Sequence, residues 1–160
     1  MNLKKAVLLV LLIAVFLTCG FFRDYVFLNV NEEMRVTYYH STDSTLAPGM
    51  KFLESYSYSQ MYYIKWALTF LFSFLFMLLT MAFVRLFFPE RKYLVWTLFT
   101  YLALVAFAAL FWFGGFLAND SEKGYIFSRF LMGMAQSPVV LMVLIPSFRL
   151  LKAYSKPETR

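Results

Sequence analysis

The stretch YLVWTLFTYLALVAFAALFWFGGFLA, residues 93–118, contains no charged side chain and decides the fold. A hydrocarbon core of about 30 Å takes roughly 20 apolar residues in helical form. Only a helix or a closed barrel satisfies every backbone N–H and C=O in that medium. The run is continuous rather than alternating, so it predicts a membrane-spanning helix and not a barrel strand.

Three further segments outside it meet the same requirement. Tyr62–Phe88 is interrupted only by Lys65 and Arg85 near its ends. Ala6–Phe22 is a run of about seventeen residues with no charge, and Tyr125–Phe148 carries Arg129, Gln136 and the two prolines Pro138 and Pro146. The expected fold is an all-α integral membrane protein. It forms one transmembrane domain over residues 1–160, with helices at about 6–22, 62–88, 93–118 and 125–148 and a polar insert at 23–60. Composition agrees: 61% hydrophobic, 21% aromatic and 15% charged residues lie far from the roughly 45–50% apolar and ~25% charged of a soluble domain. The net charge of +6 sits at the ends of apolar segments, which points to the bilayer as partner and not to nucleic acid.

The cations also predict orientation. With the N-terminus inside, the inner face holds Lys4, Lys5, Arg85, Arg91, Lys92, Arg149, Lys152, Lys156 and Arg160 against Glu90 and Glu158. The outer face holds Arg23, Arg35, Lys51, Lys65, Lys123 and Arg129 against Asp24, Glu32, Glu33, Asp43, Glu54, Asp120 and Glu122. Basic residues accumulate on the cytoplasmic side, so both termini are expected inside and the insert outside. Tyr56, Tyr58, Tyr62, Tyr63 and Trp66 at one boundary, with Tyr93 and Trp96 at the other, suit the headgroup level.

Within the insert, Tyr25–Val30 and Met34–Tyr39 are rich in β-branched and aromatic residues, with Asn31-Glu32-Glu33 between them. This pattern predicts a short β-hairpin. The stretch Ser41-Thr42-Asp43-Ser44-Thr45 before Pro48-Gly49 reads as a loop, and Met50, Phe52, Leu53 and Tyr56 as one face of an interfacial helix. Two strands do not make a stable domain alone, so the insert is expected to lie on helix ends, on the membrane or on a partner.

Chemistry-bearing groups are few. His40 is the only histidine, which excludes a two-histidine metal site, and Cys19 the only cysteine. A Cys19–His40 pair would require a proximity that nothing in the sequence indicates. Leu17-Thr18-Cys19-Gly20 after Lys4 and Lys5 raises lipoprotein processing as an alternative, although Phe16 and Thr18 depart from the usual acceptor box. Glu32-Glu33 reads as a solvated turn rather than a catalytic pair, and Gly114-Gly115 as helix termination or close packing. No metal or other cofactor is expected.

Two polar stripes remain. Arg129, Gly133, Gln136, Ser137 and Val140 would share one face of the fourth helix, and Lys65, Thr69, Ser73, Phe76 and Thr80 one face of the second. Gly133, Ser137, Thr69 and Ser73 are small or hydroxylated and suit helix packing. The functional alternative places Lys65, Arg129, Gln136 and Ser137 in a polar pocket for a carboxylate or phosphate, with Asp24, Glu32 and Glu33 available to meet those cations or a partner's. Pro138 and Pro146 are expected to bend the fourth helix, and Pro138 to free the carbonyl of Met134.

Phe22-Arg23-Asp24-Tyr25-Val26-Phe27-Leu28-Asn29-Val30-Asn31, together with Tyr62-Tyr63-Ile64-Lys65-Trp66, resembles the small uncharacterised membrane proteins that accompany exosortases in Bacteroidota. The resemblance implies an accessory inner-membrane protein working near a protein-sorting enzyme. It transfers no catalytic residue, because Cys19 and His40 do not stand in the arrangement of the sorting enzymes. The leading expectation is a non-enzymatic accessory or assembly subunit, bound to another integral membrane protein or to its own copies. The alternative is a small binding or transport unit for an anionic or lipidic ligand, and a membrane enzyme ranks third. The topology has a direct check. A cysteine placed at Ser44 in a Cys19→Ser background is expected to react with an impermeant maleimide from the outer side, and labelling from the cytoplasmic side alone would overturn the orientation.

Overall fold

The structure, a computed structural model, describes residues 3–41, 43 and 45–154. Thr42 and Ser44 of the expected loop, and Lys156, Glu158 and Arg160 of the charge count, lie outside the described residues. The elements are α1 (Leu3–Tyr39), a 3-10 helix (Pro48–Ser55), α2 (Tyr58–Phe87), α3 (Arg91–Leu117), α4 (Ser121–Ala135) and α5 (Val139–Tyr154). There is no strand among the described residues. The first, second and third α-helices are each long and apolar enough to cross a membrane. The α4–α5 pair, bent by 64°, meets the same criterion together, which gives three to four candidate spans.

The β-hairpin expected at Tyr25–Val30 and Met34–Tyr39 is not found, and neither is the turn at Asn31-Glu32-Glu33: α1 runs through all of them. Strand alternation would bury Val26, Leu28 and Val30 together, but Leu28 is 70% exposed. The buried set is Val26, Asn29, Val30 and Glu33, which recurs at helical spacing. Packing of this stripe overrides the β preference of its members. The helix ends at His40, whose φ of 52° is left-handed, while the Ser41 N–H donates to the Val36 carbonyl at 3.1 Å. This is the usual way of closing a last turn, with His40 where glycine is commonest.

Two compact units emerge: Leu17–Phe72, and Met1–Phe16 with Ser73–Arg160. In the first, the rings of Phe22 and Phe27 pack against Phe72 at 6.2 and 5.8 Å, and Val26, Val30, Leu53 and Met61 are buried. The expected short helix is the 3-10 helix, which begins at Pro48 and buries Leu53. In the second unit Phe16 meets Phe76 and Phe83 edge-on at 5.0 and 5.7 Å. A core of Val84, Phe88, Tyr93, Tyr101, Ala135, Val140, Leu144 and Phe148 joins α2, α3, α4 and α5. Thr80 and Tyr101 share a buried hydrogen bond of 2.9 Å.

The tightest point of this unit is the α3–α4 hairpin. A Cβ added at Gly115 would lie 2.6 Å from the Gly124 Cα, and one at Gly124 would lie 2.6 Å from the Phe111 carbonyl oxygen. Gly115 therefore serves close packing, while termination of α3 falls to Asn119, with φ 54° and the Asp120 N–H donating to the Gly115 carbonyl at 3.0 Å. Asp120 then caps α4, accepting from the Lys123 N–H. A Cβ at Gly133 would meet no described atom within 4 Å, so the close approach lies at Gly115 and Gly124.

The fourth span, expected over 125–148 with a bend at Pro138, is two helices set at 64° to each other. Pro138 has no N–H for the Met134 carbonyl, and that carbonyl instead accepts the Ser137 N–H at 3.2 Å and the Ser137 hydroxyl at 2.9 Å. The break thus satisfies its own backbone, as a lipid environment requires.

Gly115→Ala and Gly124→Ala should each destabilise the protein by about 1–3 kcal/mol, because the obstructing atoms are backbone and cannot rotate away. Gly133→Ala should be neutral or stabilising by up to ~1 kcal/mol. Unfolding followed by circular dichroism in mild detergent ranks the three, and equal effects at all three sites would refute the close-packing account.

Candidate functional site

The polar groups of the Leu17–Phe72 unit converge where α1 leaves its apolar stretch. A hydrocarbon core takes roughly 20 helical residues, fewer than the 37 of α1, and the carboxyl and amide groups lie towards the Tyr39 end of that helix. There the Asn29 side chain donates to the Tyr25 carbonyl at 2.8 Å and accepts the Ala47 N–H at 2.9 Å. It thereby ties α1 to the segment that enters the 3-10 helix. Arg35 donates to both oxygens of Glu32 at 3.0 and 2.7 Å, and the Thr45 hydroxyl donates to Glu32 at 2.9 Å. The Arg35 guanidinium, with Thr45 beside it, holds the Glu32 carboxyl well below its ordinary 4.5, at about 2. Glu32 in turn raises Arg35.

Glu33 lies on the buried stripe with 4% of its surface exposed. Its Oε1 accepts the Thr37 hydroxyl at 3.1 Å, and Oε2 has no hydrogen-bond partner among the described residues. A carboxylate oxygen left so is costly, and such groups often mark functional positions. Asp24 and Glu32 are engaged by neighbours on α1: Arg23 donates to Asp24 at 2.6 Å and lies 5.2 Å from the Phe27 ring centre. Lys65 is half-buried on α2, and its carbonyl accepts the Thr69 hydroxyl at 2.8 Å.

The other polar site is the break between α4 and α5. Gln136, 4% exposed, donates through its side-chain amide to the buried Ser73 hydroxyl at 3.1 Å. Sequence spacing thus brought Gln136 and Ser73 inward, along with Phe76 and Thr80. It did not do so for Arg129, which is exposed, the buried residues beside it being Ser128 and Met132. The offsets that placed Arg129 and Val140 on one face assume a continuous helix, and Pro138 interrupts it. Sequence reasoning missed Asn29 and Thr45. The available signal for Asn29 was one amide set at helical spacing among Val26, Val30 and Leu28.

Among the described residues no group of three or more His, Cys, Asp or Glu side chains could hold a metal ion. No family model, curated protein or solved structure matches the chain.

The Glu32 clasp has a pH signature. A carboxyl lowered in the folded state contributes stability that is complete above the unfolded value near 4.5 and fades as pH falls toward about 2. In a carbon-13 titration the Glu32 carboxyl should show a midpoint near 2, and Glu32→Gln should remove the pH dependence of local order across that window. A midpoint near 4.5 would mean that the clasp with Arg35 and Thr45 does not form.

Proposed function

We propose that the protein is a non-enzymatic accessory or assembly subunit of a bacterial inner-membrane complex serving protein sorting or export, with both termini cytoplasmic and the 23–60 region outside. The observation that carries this reading is the continuity of α1. One helix of 37 residues, about 55 Å long, begins in an apolar stretch and continues into a cap whose charged and amide groups hold the cap's own shape. A rigid element of this kind suits presentation of a surface to a partner. The apolar window of α1 is only 6% buried within the chain, which leaves that helix open to lipid and to a neighbouring helix alike.

The buried Gln136–Ser73 pair at a broken helix supports the second reading, a binding or transport unit for an anionic or lipidic ligand, with Lys65, Arg129 and Ser137 in contact roles. Polar side chains beside interrupted helices commonly mark such paths.

Purification from native membranes in mild detergent, followed by mass spectrometry, should recover a stoichiometric integral membrane partner. A homogeneous preparation of this chain alone would count against the accessory reading. Glu33→Gln keeps a hydrogen-bonding side chain and removes the carboxyl oxygen that lacks a partner among the described residues, so the free energy of unfolding should hold or rise, by about 1 kcal/mol. If the carboxylate serves the partner, this stable variant should lose the co-purifying protein. Lys65→Gln with Arg129→Gln should leave assembly intact under both readings and abolish binding of an anionic ligand only under the second.

A further inference from the structure

Three faces of α5 differ in kind. Val140, Leu144 and Phe148 are buried in the core. Ser147, Leu150, Leu151 and Tyr154, at spacings of three, four and seven, line an open groove of about 520 Å³, with Leu150 61% and Leu151 55% exposed. Arg149 and Lys152 lie on the remaining face, by helical periodicity. Phe148 packs on Phe88 at 5.7 Å and on Tyr93 at 5.0 Å, which sets it beside the α2–α3 connection and the first turn of α3, where Arg91 and Lys92 stand.

Depth arithmetic bears on what covers the exposed stripe. The 15 residues of α4 rise ~22 Å, short of the ~30 Å of a hydrocarbon core. The 16 residues of α5, set at 64° to α4, add only ~10 Å along the α4 axis while extending ~22 Å across it. The pair therefore reaches the far headgroup level with α5 running largely sideways.

We propose that α5 is an interfacial helix: its stripe of Leu150, Leu151 and Tyr154 lies among acyl chains, and its Arg149 and Lys152 bind the phosphates of an anionic phospholipid leaflet. This rests on the reading of α1, α2 and α3 as membrane spans. An apolar stripe on one side of a helix with cations on the other is the composition that partitions into the boundary between headgroups and chains. Each cation near an anionic surface adds about 1 kcal/mol, or roughly fivefold in preference.

The test uses the full chain with Cys19→Ser, reconstituted in vesicles of phosphatidylcholine with and without phosphatidylglycerol. Single nitroxides from 147 to 154 should show helical periodicity: 150, 151 and 154 favour oxygen, and 149 and 152 favour a water-soluble nickel chelate. A steady rise in nickel access along the scan would overturn the proposal. Spin-labelled phosphatidylglycerol should be motionally restricted by the unlabelled protein about 25-fold more than phosphatidylcholine, about fivefold for each of the two cations, and Arg149→Gln with Lys152→Gln should bring the two close to parity. Equal restriction by the unsubstituted protein, or an undiminished preference in the double variant, would also overturn it. A nitroxide at Ala106 on α3 separates the two readings and reports folding of the variant. If Ala106 is not oxygen-rich, the spanning reading fails. If it is and the α5 scan lacks periodicity, only the interfacial helix fails.

Discussion

The contact between Gly115 and Gly124 is the constraint from which the larger unit follows. Two helix backbones meet there with no side chain between them, so α3 and α4 must run close together from their connection onward. That placement brings Ala135, at the end of α4, into the core with Tyr101 and Val84. In lipid there is little hydrophobic gain from bringing helices together, so close van der Waals approach has to supply much of the association. The glycine pair does so, and Asn119 with its left-handed backbone turns the chain sharply enough to permit it.

The second governing requirement is that every backbone group find a partner. Pro138 threatens it in the middle of the fourth apolar segment, and Ser137 answers by donating both its N–H and its hydroxyl to the carbonyl that the proline strands. Gln136 then points its amide at Ser73 instead of leaving it in an apolar setting. The bend is therefore a satisfied structure that can persist, and it divides the segment into one helix committed to α3 and another with two apolar faces.

Much of this was legible in sequence because the signals were long and uniform. The apolar runs of α2 and α3, the aromatic residues at the helix ends and the disruptive role of Pro138 all follow from composition and backbone chemistry. The cap was not legible for an equally physical reason. Val26, Val30, Tyr38 and Tyr39 favour strands when considered one at a time. What makes Val26 and Val30 helical is a buried stripe shared with Asn29 and Glu33, and its Asn29 is held by the Ala47 N–H, eighteen positions away. The local ion pairs were out of view for the same reason: Asp24 and Glu32 pair with Arg23 and Arg35 on their own helix, neighbours that a hairpin would not have set together in this way.

The unbroken course of α1 ties the chain to the mechanics of its surroundings. Under the proposal that α1 crosses a bilayer, its 37 residues cannot shorten, so a thinner or thicker bilayer is met by tilting or sliding the whole rod, at a cost of fractions of a kcal/mol per Å. Each such adjustment changes the height at which Asn29, Glu33 and Tyr38 stand above the headgroups. On that proposal bilayer thickness is a variable that the Tyr39 end of α1 registers directly, with no ligand needed to convey it.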